Sequence, residues 1–200
     1  MKKMISVLLA LVLALGVCGA FAEESSALPA YAYQGDDPIW KAVVEYMQAT
    51  DFGFEPEAGG VLIPTPIILK TVYNDDETEA TVYGNFWIFC YKRSEENSKI
   101  LAMTSGGENP GYMKLEKKDG VWAVTSMVIA GSGDDYQTDI VKFADGDKEL
   151  EEQYFLTAGA SENSMLPQYQ RAAVVEYVAA NNLDIEAYQE TGWDPVAVND

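Results

Sequence analysis

The residues from 61 to 129 constrain the fold more than any other part of this chain. In this stretch apolar and polar residues alternate, and turn signals recur about every ten residues, a pattern typical of an antiparallel meander. Asp119-Gly120 predicts a tight hairpin turn between the last two strands. The five predicted strands are Val61 to Tyr73, Glu79 to Arg93, Lys99 to Ser105, Gly111 to Lys118 and Val121 to Ile129.

Two features of the predicted strands indicate the shape of the sheet. Pro64 and Pro66 have no N–H group to donate, so the first strand should lie at an edge or be interrupted there. Gly84 lies inside the longest strand, where it predicts a β-bulge that helps the sheet to curl. We therefore expect a curved antiparallel sheet.

Helical periodicity precedes and follows the strands. Asp37-Pro38 is a typical helix start, because the aspartate caps free amides and proline fits the first helical position. This helix should continue to about Ala49 with an apolar face. Further helices are predicted over Thr138 to Phe143, Lys148 to Leu156 and Leu166 to Asn181, with one more turn at Asp184 to Tyr188. Residues 23–36 lack periodicity, which indicates a flexible N-terminal segment.

The first 22 residues, Met1 to Ala22, have the pattern of a secretory signal peptide. Lys2 and Lys3 form a basic start, an apolar run follows, and Ala20-Phe21-Ala22 supplies the small residues that a signal peptidase requires. The apolar run is too short for a membrane span. The sequence thus predicts a secreted protein whose mature chain begins at Glu23.

Cys18 allows an alternative interpretation of the leader. Leu15-Gly16-Val17-Cys18 is close to a lipoprotein processing site, in which the cysteine would carry a lipid anchor. The valine before the cysteine is bulkier than the residues usual there, so cleavage after Ala22 is favoured. Cys90 is then the remaining cysteine, and its apolar neighbours predict a packing role.

The charge of the chain excludes several partners. There are 32 acidic residues against 13 Lys and Arg, a formal net charge of −19, which becomes −21 when Lys2 and Lys3 leave with the signal peptide. Such a surface repels nucleic acids and anionic membranes, because binding to either requires Lys and Arg beside the phosphates. We therefore expect no nucleic-acid partner, and the short apolar run of the leader predicts no membrane span.

The residue types present also limit catalysis. The sequence has no histidine, so a Ser-His-Asp triad is excluded, and it has no HExxH zinc motif. The acidic stretches Asn74 to Glu77 and Asp145 to Glu149 lack the EF-hand pattern and are predicted to be turns. The sequence predicts no catalytic residue, no metal and no cofactor. A glycoside hydrolase needs only a pair of carboxylates, so a secreted carbohydrate hydrolase stays open as the alternative function.

The helix that starts at Asp37, the long strands and the closing hairpin together resemble the NTF2-like (cystatin-like) superfamily. In that group the hairpin often reads apolar-Lys-apolar, a basic turn, Gly, Trp and an apolar residue, as in Met113-Lys114-Leu115 and Gly120-Val121-Trp122. The resemblance covers about residues 37 to 130. It implies an α+β fold in which an N-terminal helix packs on a strongly bent antiparallel sheet, forming a cone.

The resemblance and the leader divide the chain into four predicted segments. They are a signal peptide at 1–22, a flexible segment at 23–36, an NTF2-like domain at 37–133 and a helical C-terminal extension at 134–200 that packs on the domain. Members with dehydratase or isomerase activity rely on His, Asp and Tyr in the cone, and no such motif matches here.

Fold-level resemblance leaves the function open, and the missing catalytic chemistry favours binding. The leading hypothesis is a secreted, non-catalytic binding or interaction protein, whose curved sheet offers a pocket or a face to a small ligand or a partner protein. The predicted ligand-binding residues are Tyr73, Tyr83, Trp87 and Met103.

Overall fold

The computed structural model describes residues 27–159 and 164–198, which form an α+β structure. The predicted signal peptide and Cys18 lie outside the described residues. The described chain has four α-helices, a short 3₁₀-helix and one curved, mixed sheet of seven strands. The helices are α1 (Pro38–Thr50), α2 (Asp134–Ala144), α3 (Lys148–Thr157) and α4 (Leu166–Ala180), and the 3₁₀-helix spans Asp51–Gly53. The strands are β1 (Val61–Tyr73), β2 (Glu79–Arg93), β3 (Ile100–Gly107), β4 (Pro110–Lys118), β5 (Val121–Ile129), β6 (Ala187–Gln189) and β7 (Val196–Ala197).

Strand β2 is the centre of the sheet. Along one side it pairs with β1, from Val61 to Tyr73. Along the other side it pairs first with β4, up to Asn85, and then with β3, from Ile88 onward. The sheet therefore forks on this side of β2, and β5 extends one branch by pairing with β4.

The pairing of β1 confirms its predicted edge position. Among the strands of the described chain, β1 pairs with β2 alone, and it runs unbroken through Pro64 and Pro66. Prolines two residues apart share one hydrogen-bonding side of a strand, so an edge accommodates both. The bulge predicted at Gly84 is found on the partner strand instead, where the register slips between Ile68 and Lys70.

The sheet is mixed rather than antiparallel, because β6 joins it from the C-terminal part of the chain. β6 pairs parallel with β3, with Ala187 opposite Ile100, and β7 pairs antiparallel with β6. The helical turn predicted over Asp184 to Tyr188 is therefore wrong. The edge of β3 offers unpaired backbone groups, and the Glu186 N–H donates to the Lys99 carbonyl, so strand pairing replaces the local helix.

The other predicted helices are present, and Asp37 caps the first of them as expected. Asp37 Oδ1 accepts hydrogen bonds from the N–H groups of Ile39 and Trp40, at 2.8 and 3.1 Å, at the start of α1. Asp147 Oδ1 accepts from the Leu150 N–H at 3.1 Å at the start of α3. Helix α2 is longer than predicted, because it begins directly after the turn that follows β5.

Helix α1 covers one face of the sheet, which we call the α1 face. Val82 and Phe86 of β2 are 0% exposed there, and they belong to one core cluster with Val43 and Met47 of α1. Burial of these apolar side chains is a main source of stability, since each fully buried side chain contributes roughly 1.5–3 kcal/mol.

The opposite face, which we call the α4 face, is covered by three helices. Trp87 and Tyr91 of β2 belong to a core cluster with Val174 and Tyr177 of α4. Farther along β2, Tyr83 packs against a separate cluster that joins α2 and α3. Side chains of the chain itself therefore fill both faces of the sheet along β2.

The described part of the predicted flexible segment packs on the core. Leu28 and Tyr31 are each 7% exposed. The Tyr177 hydroxyl donates to the Pro29 carbonyl at 2.7 Å, and Gln48 Nε2 donates to the Tyr31 carbonyl at 2.8 Å. Leu28 and Tyr31 thus tie the described part of this segment to the core, and the flexibility predicted for residues 23–36 stays a prediction.

Candidate functional site

The structure places three of the four predicted ligand-binding residues on the α4 face. Tyr83 and Trp87 lie four residues apart on β2, so their side chains are on the same face of the sheet. Met103 of β3 lies opposite Tyr91 on that face. Trp87 is 8% exposed, and its Nε1 donates to the Thr157 carbonyl at 3.1 Å. These contacts make Trp87 a core residue beneath α3 rather than a freely accessible one.

Tyr73, the fourth predicted residue, lies on the α1 face. The slip between Ile68 and Lys70 reverses which residues of β1 face α4, since one extra residue moves every later side chain to the other side. Tyr73 is 46% exposed, and its ring meets the Trp122 ring edge-on at 5.9 Å between centroids. It lines an open depression of about 350 Å³, separate from the other three residues.

A larger cavity, of about 640 Å³, lies between the turns that follow β3 and β5 and the end of α3. We call it the Glu108 pocket, because Glu108 contributes a carboxylate to its wall. Other lining residues are Pro110, Ala130, Ser132, Tyr136, Phe155 and Ala158.

The Glu108 carboxylate is half-buried and accepts three hydrogen bonds. Oε1 accepts from Asn85 Nδ2 at 2.9 Å and from the Tyr136 hydroxyl at 3.0 Å. Oε2 accepts from the Gly159 N–H at 3.3 Å. Burial, together with the negative charge of Glu108, raises the pKa of Tyr136 above its ordinary value of 10.0, so this hydroxyl stays a donor at neutral pH.

The fork in the sheet brings Glu108 next to Asn85. β2 leaves β4 after Asn85 and joins β3 at Ile88, so the turn between β3 and β4 lies against this stretch of β2. Asn109 fixes the turn, because its Nδ2 donates to the Phe86 carbonyl and its own carbonyl accepts from the Phe86 N–H, both at 3.1 Å. The position of Glu108 is thus set by the backbone.

No positive charge balances Glu108 among the residues that the structure describes, since none of their ion pairs includes it. Its three partners are neutral donors. Two aromatic rings, Tyr136 and Phe155, lie in the same wall with centroids 6.2 Å apart and planes inclined by 54°. The pocket therefore combines one unbalanced negative charge with an aromatic and apolar lining.

Asn85 is fully buried beneath this network. Its side chain is 0% exposed, and its Oδ1 is a buried oxygen with no hydrogen-bond partner. An unpartnered buried oxygen carries a penalty of about 1–3 kcal/mol. The charge of the Glu108 carboxylate, paired with no cation of the described residues, favours a ligand that is positively charged or donates hydrogen bonds.

A second concavity, of about 500 Å³, lies between α4 and the β6–β7 turn, and we call it the Trp193 groove. Trp193 is 73% exposed, and its carbonyl accepts from Gln189 Nε2 at 2.8 Å, which holds the turn. Glu190 and Asp194 also line the groove, as does Gln170, whose Nε2 lies 3.9 Å from Met103 Sδ.

In both acidic turns, Asn74 to Glu77 and Asp145 to Glu149, some of the side-chain oxygens are bonded to the chain itself. Asn74 Oδ1 accepts from the Thr78 and Glu79 N–H groups, both at 2.9 Å. Asp147 caps α3 and pairs with Lys70 Nζ at 2.8 Å, a contact that lowers the pKa of this carboxyl. Within residues 27–159 and 164–198 no cluster of three or more His, Cys, Asp or Glu residues could hold a metal ion.

Sequence reasoning missed the residues of the Glu108 pocket. Asn85, Glu108 and Tyr136 are far apart in the chain, and only folding brings them together. One local signal was available, because Gly106-Gly107-Glu108-Asn109-Pro110 places an acid within a turn between two strands. Cys90, by contrast, is 0% exposed as predicted, and burial raises the pKa of its thiol.

Comparison with known proteins shows little similarity. No protein-family model matches this sequence, and no curated protein matches it. Among solved structures, the intermembrane space region of the chloroplast protein ARC6 is similar at 13% sequence identity, over 47% of this chain and 68% of that chain, with a TM-score of 0.25. A TM-score this low supports no conclusion about fold or function.

Among the described helices, none is long and apolar enough to cross a membrane.

Proposed function

We propose that this chain is a non-catalytic binding protein that takes a small ligand in the Glu108 pocket. The observation that carries the proposal is a half-buried carboxylate in the wall of a cavity of about 640 Å³, held by three neutral donors and forming no ion pair with any described residue. Ligand sites are typically cavities of about 300–1,000 Å³ with an apolar lining and a few fixed polar groups. The Glu108 pocket has this composition.

The proposal includes a cellular location and a fold family. The leader pattern at residues 1–22 supports secretion. An α+β structure with α1 on a curved sheet supports an NTF2-like cone over residues 37–133, with residues 134–200 as an extension. In this arrangement α2 and α3 of the extension supply Tyr136 and Phe155 to the pocket, so the extension completes the site.

A bulky side chain that fills the Glu108 pocket tests whether ligands bind there. Ser132 is exposed and lines the pocket, so Ser132→Trp should fill the cavity without disturbing the core, and Ser132→Ala is the matched control. We expect a fragment library of small amines, acids and neutral compounds, screened by saturation-transfer NMR, to give hits with the unsubstituted protein and with Ser132→Ala. Ser132→Trp should lose most of these hits. If the same fragments bind all three proteins, the ligand site is elsewhere and the proposal fails.

The Trp193 groove favours a second candidate function, that of a carbohydrate hydrolase. It combines an aromatic side chain that is 73% exposed with two carboxylates, Glu190 and Asp194. An exposed indole is a stacking surface for a sugar ring, and two carboxylates are the minimum for glycoside hydrolysis.

Hydrolysis is tested directly with soluble oligosaccharides. Under the second candidate function, β-glucan, xylan and starch oligomers should release reducing ends, and Glu190→Gln should abolish the release while leaving the fold intact by circular dichroism. Absence of any product from all three polymers would remove this candidate and leave the binding proposal unaffected.

A further inference from the structure

We infer that the Glu108 pocket selects organic ammonium ions, that is, amines or methylated amines carrying a small apolar group. This inference rests on the proposed function and names the ligand class of the same site. It combines three properties of the pocket wall: an unbalanced carboxylate, two inclined aromatic rings and an apolar remainder.

The carboxylate favours a cation over an anion or a neutral ligand. An ionised carboxylate has about four acceptor positions, and Glu108 uses three of them for Asn85, Tyr136 and Gly159. One position is left for a ligand, and the half-burial of the side chain reduces the screening of its charge by water. The formal net charge of −19 further attracts cations to the protein and repels anions.

The rings favour an organic cation over a metal ion. The faces of Tyr136 and Phe155 carry partial negative charge, which attracts an ammonium group within about 6 Å of a ring centroid. A metal ion would need several oxygen ligands, whereas Glu108 is the one carboxylate that lines the pocket among the residues that the structure describes. Pro110, Ala130 and Ala158 supply apolar contacts for the carbon atoms of the ligand, which a hydrated metal ion cannot use.

Choline and its uncharged carbon isostere, 3,3-dimethylbutan-1-ol, test the inference on the unsubstituted protein. The two probes have nearly the same shape and differ by one positive charge. We expect titration calorimetry or NMR titration to give choline a dissociation constant at least about tenfold lower than that of the alcohol, from the charge and the cation–π contact. Sodium chloride should weaken the binding of choline, since salt screens the interaction.

Variants test whether choline binds at Glu108. Glu108→Gln should weaken choline binding by about tenfold or more, whereas Glu149→Gln, which removes an equal charge at an exposed site on α3, should leave it unchanged. Tyr136→Phe keeps the ring and should retain binding within about threefold. Ser132→Trp should abolish it.

The outcomes separate this inference from the proposed function. Equal affinity for choline and the alcohol, both lost in Ser132→Trp, would overturn the selection of cations and leave the binding pocket in place. Choline binding that survives Ser132→Trp or Glu108→Gln would place the cation elsewhere and overturn the inference. Binding of neither probe would also overturn it, and the fragment screen would then decide the proposed function alone. The comparison of the two probes needs no variant, so it holds even where Glu108→Gln fails to fold.

Discussion

Replacing Trp87 with alanine should lower the free energy of unfolding by about 3 to 5 kcal/mol, because the substitution leaves a large cavity in the core between the sheet, α4 and the end of α3. The Trp87 ring is 8% exposed and stacks on Phe89 with centroids 5.7 Å apart and planes inclined by 8°. Its Nε1 donates to the Thr157 carbonyl, which would lose this partner at the C-terminal end of α3. Trp87 is thus one of the contacts that hold the end of α3 to the sheet, beside the buried Leu150 and Tyr154 of that helix.

Trp193→Ala is the matched control, because it removes the same atoms from a position that is 73% exposed. Its effect on the free energy of unfolding should stay within about 0.5 kcal/mol. Urea unfolding followed by far-ultraviolet circular dichroism measures both variants, since each also changes the tryptophan fluorescence. Equal losses in the two variants would contradict the packing of Trp87 beneath α3.

The strands were predictable because their signals are local. Alternation in residues 61–129 and the turn at Asp119-Gly120 depend on neighbours in sequence, and three of the five predicted strands have the observed bounds. The caps at Asp37 and Asp147 are local as well. Each of these elements can form its own hydrogen bonds before the rest of the chain is in place.

The edge pairing of β6 was not predictable in this way. Ala187–Gln189 forms a strand because the edge of β3, about ninety residues earlier in the chain, offers backbone partners. Ion pairs between Arg93 and Asp184, at 2.9 Å, and between Lys99 and Glu186 lie alongside this pairing. The periodicity of the local sequence does not indicate pairing with a strand as distant as β3.

The candidate site could not be predicted from the sequence for a related reason. One slip between Ile68 and Lys70 moved Tyr73 to the α1 face, and a sequence cannot show which of two paired strands carries the extra residue. The Glu108 pocket is assembled from β2, the β3–β4 turn and two helices. Trp87 is conspicuous as an aromatic residue in a strand, but its side chain is 8% exposed and lies in the core.

The free energy of unfolding should fall steeply as the pH rises above 10. This is the largest effect of solution conditions that we expect. Burial raises the pKa of Tyr91 and Tyr154 above their ordinary value of 10.0, and burial raises the pKa of Tyr177 to about 12 although Arg93 opposes the shift. These side chains are 0%, 0% and 1% exposed. In the folded state all three hydroxyls therefore keep their protons at a pH where the unfolded chain loses them.

The sign of the effect follows from proton binding. Above pH 10 the unfolded state binds fewer protons than the folded state, so the free energy of unfolding falls as the pH rises. The contribution of these tyrosines is fully present below pH 10 and is lost as the pH approaches their folded-state pKa. Each contributes a slope of about 1.4 kcal/mol per pH unit, and the three together about 4 kcal/mol per pH unit. Since domains are stable by about 5–15 kcal/mol, unfolding is expected between about pH 11 and 12.

Two tyrosine variants test this origin of the alkaline transition. Tyr177→Phe removes one of the buried titrating groups and should reduce the slope of unfolding free energy against pH by about 1.4 kcal/mol per unit. Tyr73→Phe removes a hydroxyl on a side chain that is 46% exposed, so it should leave the slope unchanged. Urea unfolding at successive pH values gives the slopes, and tyrosinate absorbance should rise together with the loss of circular dichroism. Gradual ionisation of all tyrosines before any loss of structure would contradict the buried positions of Tyr91, Tyr154 and Tyr177, because a hydroxyl that ionises within the fold must already be in contact with water.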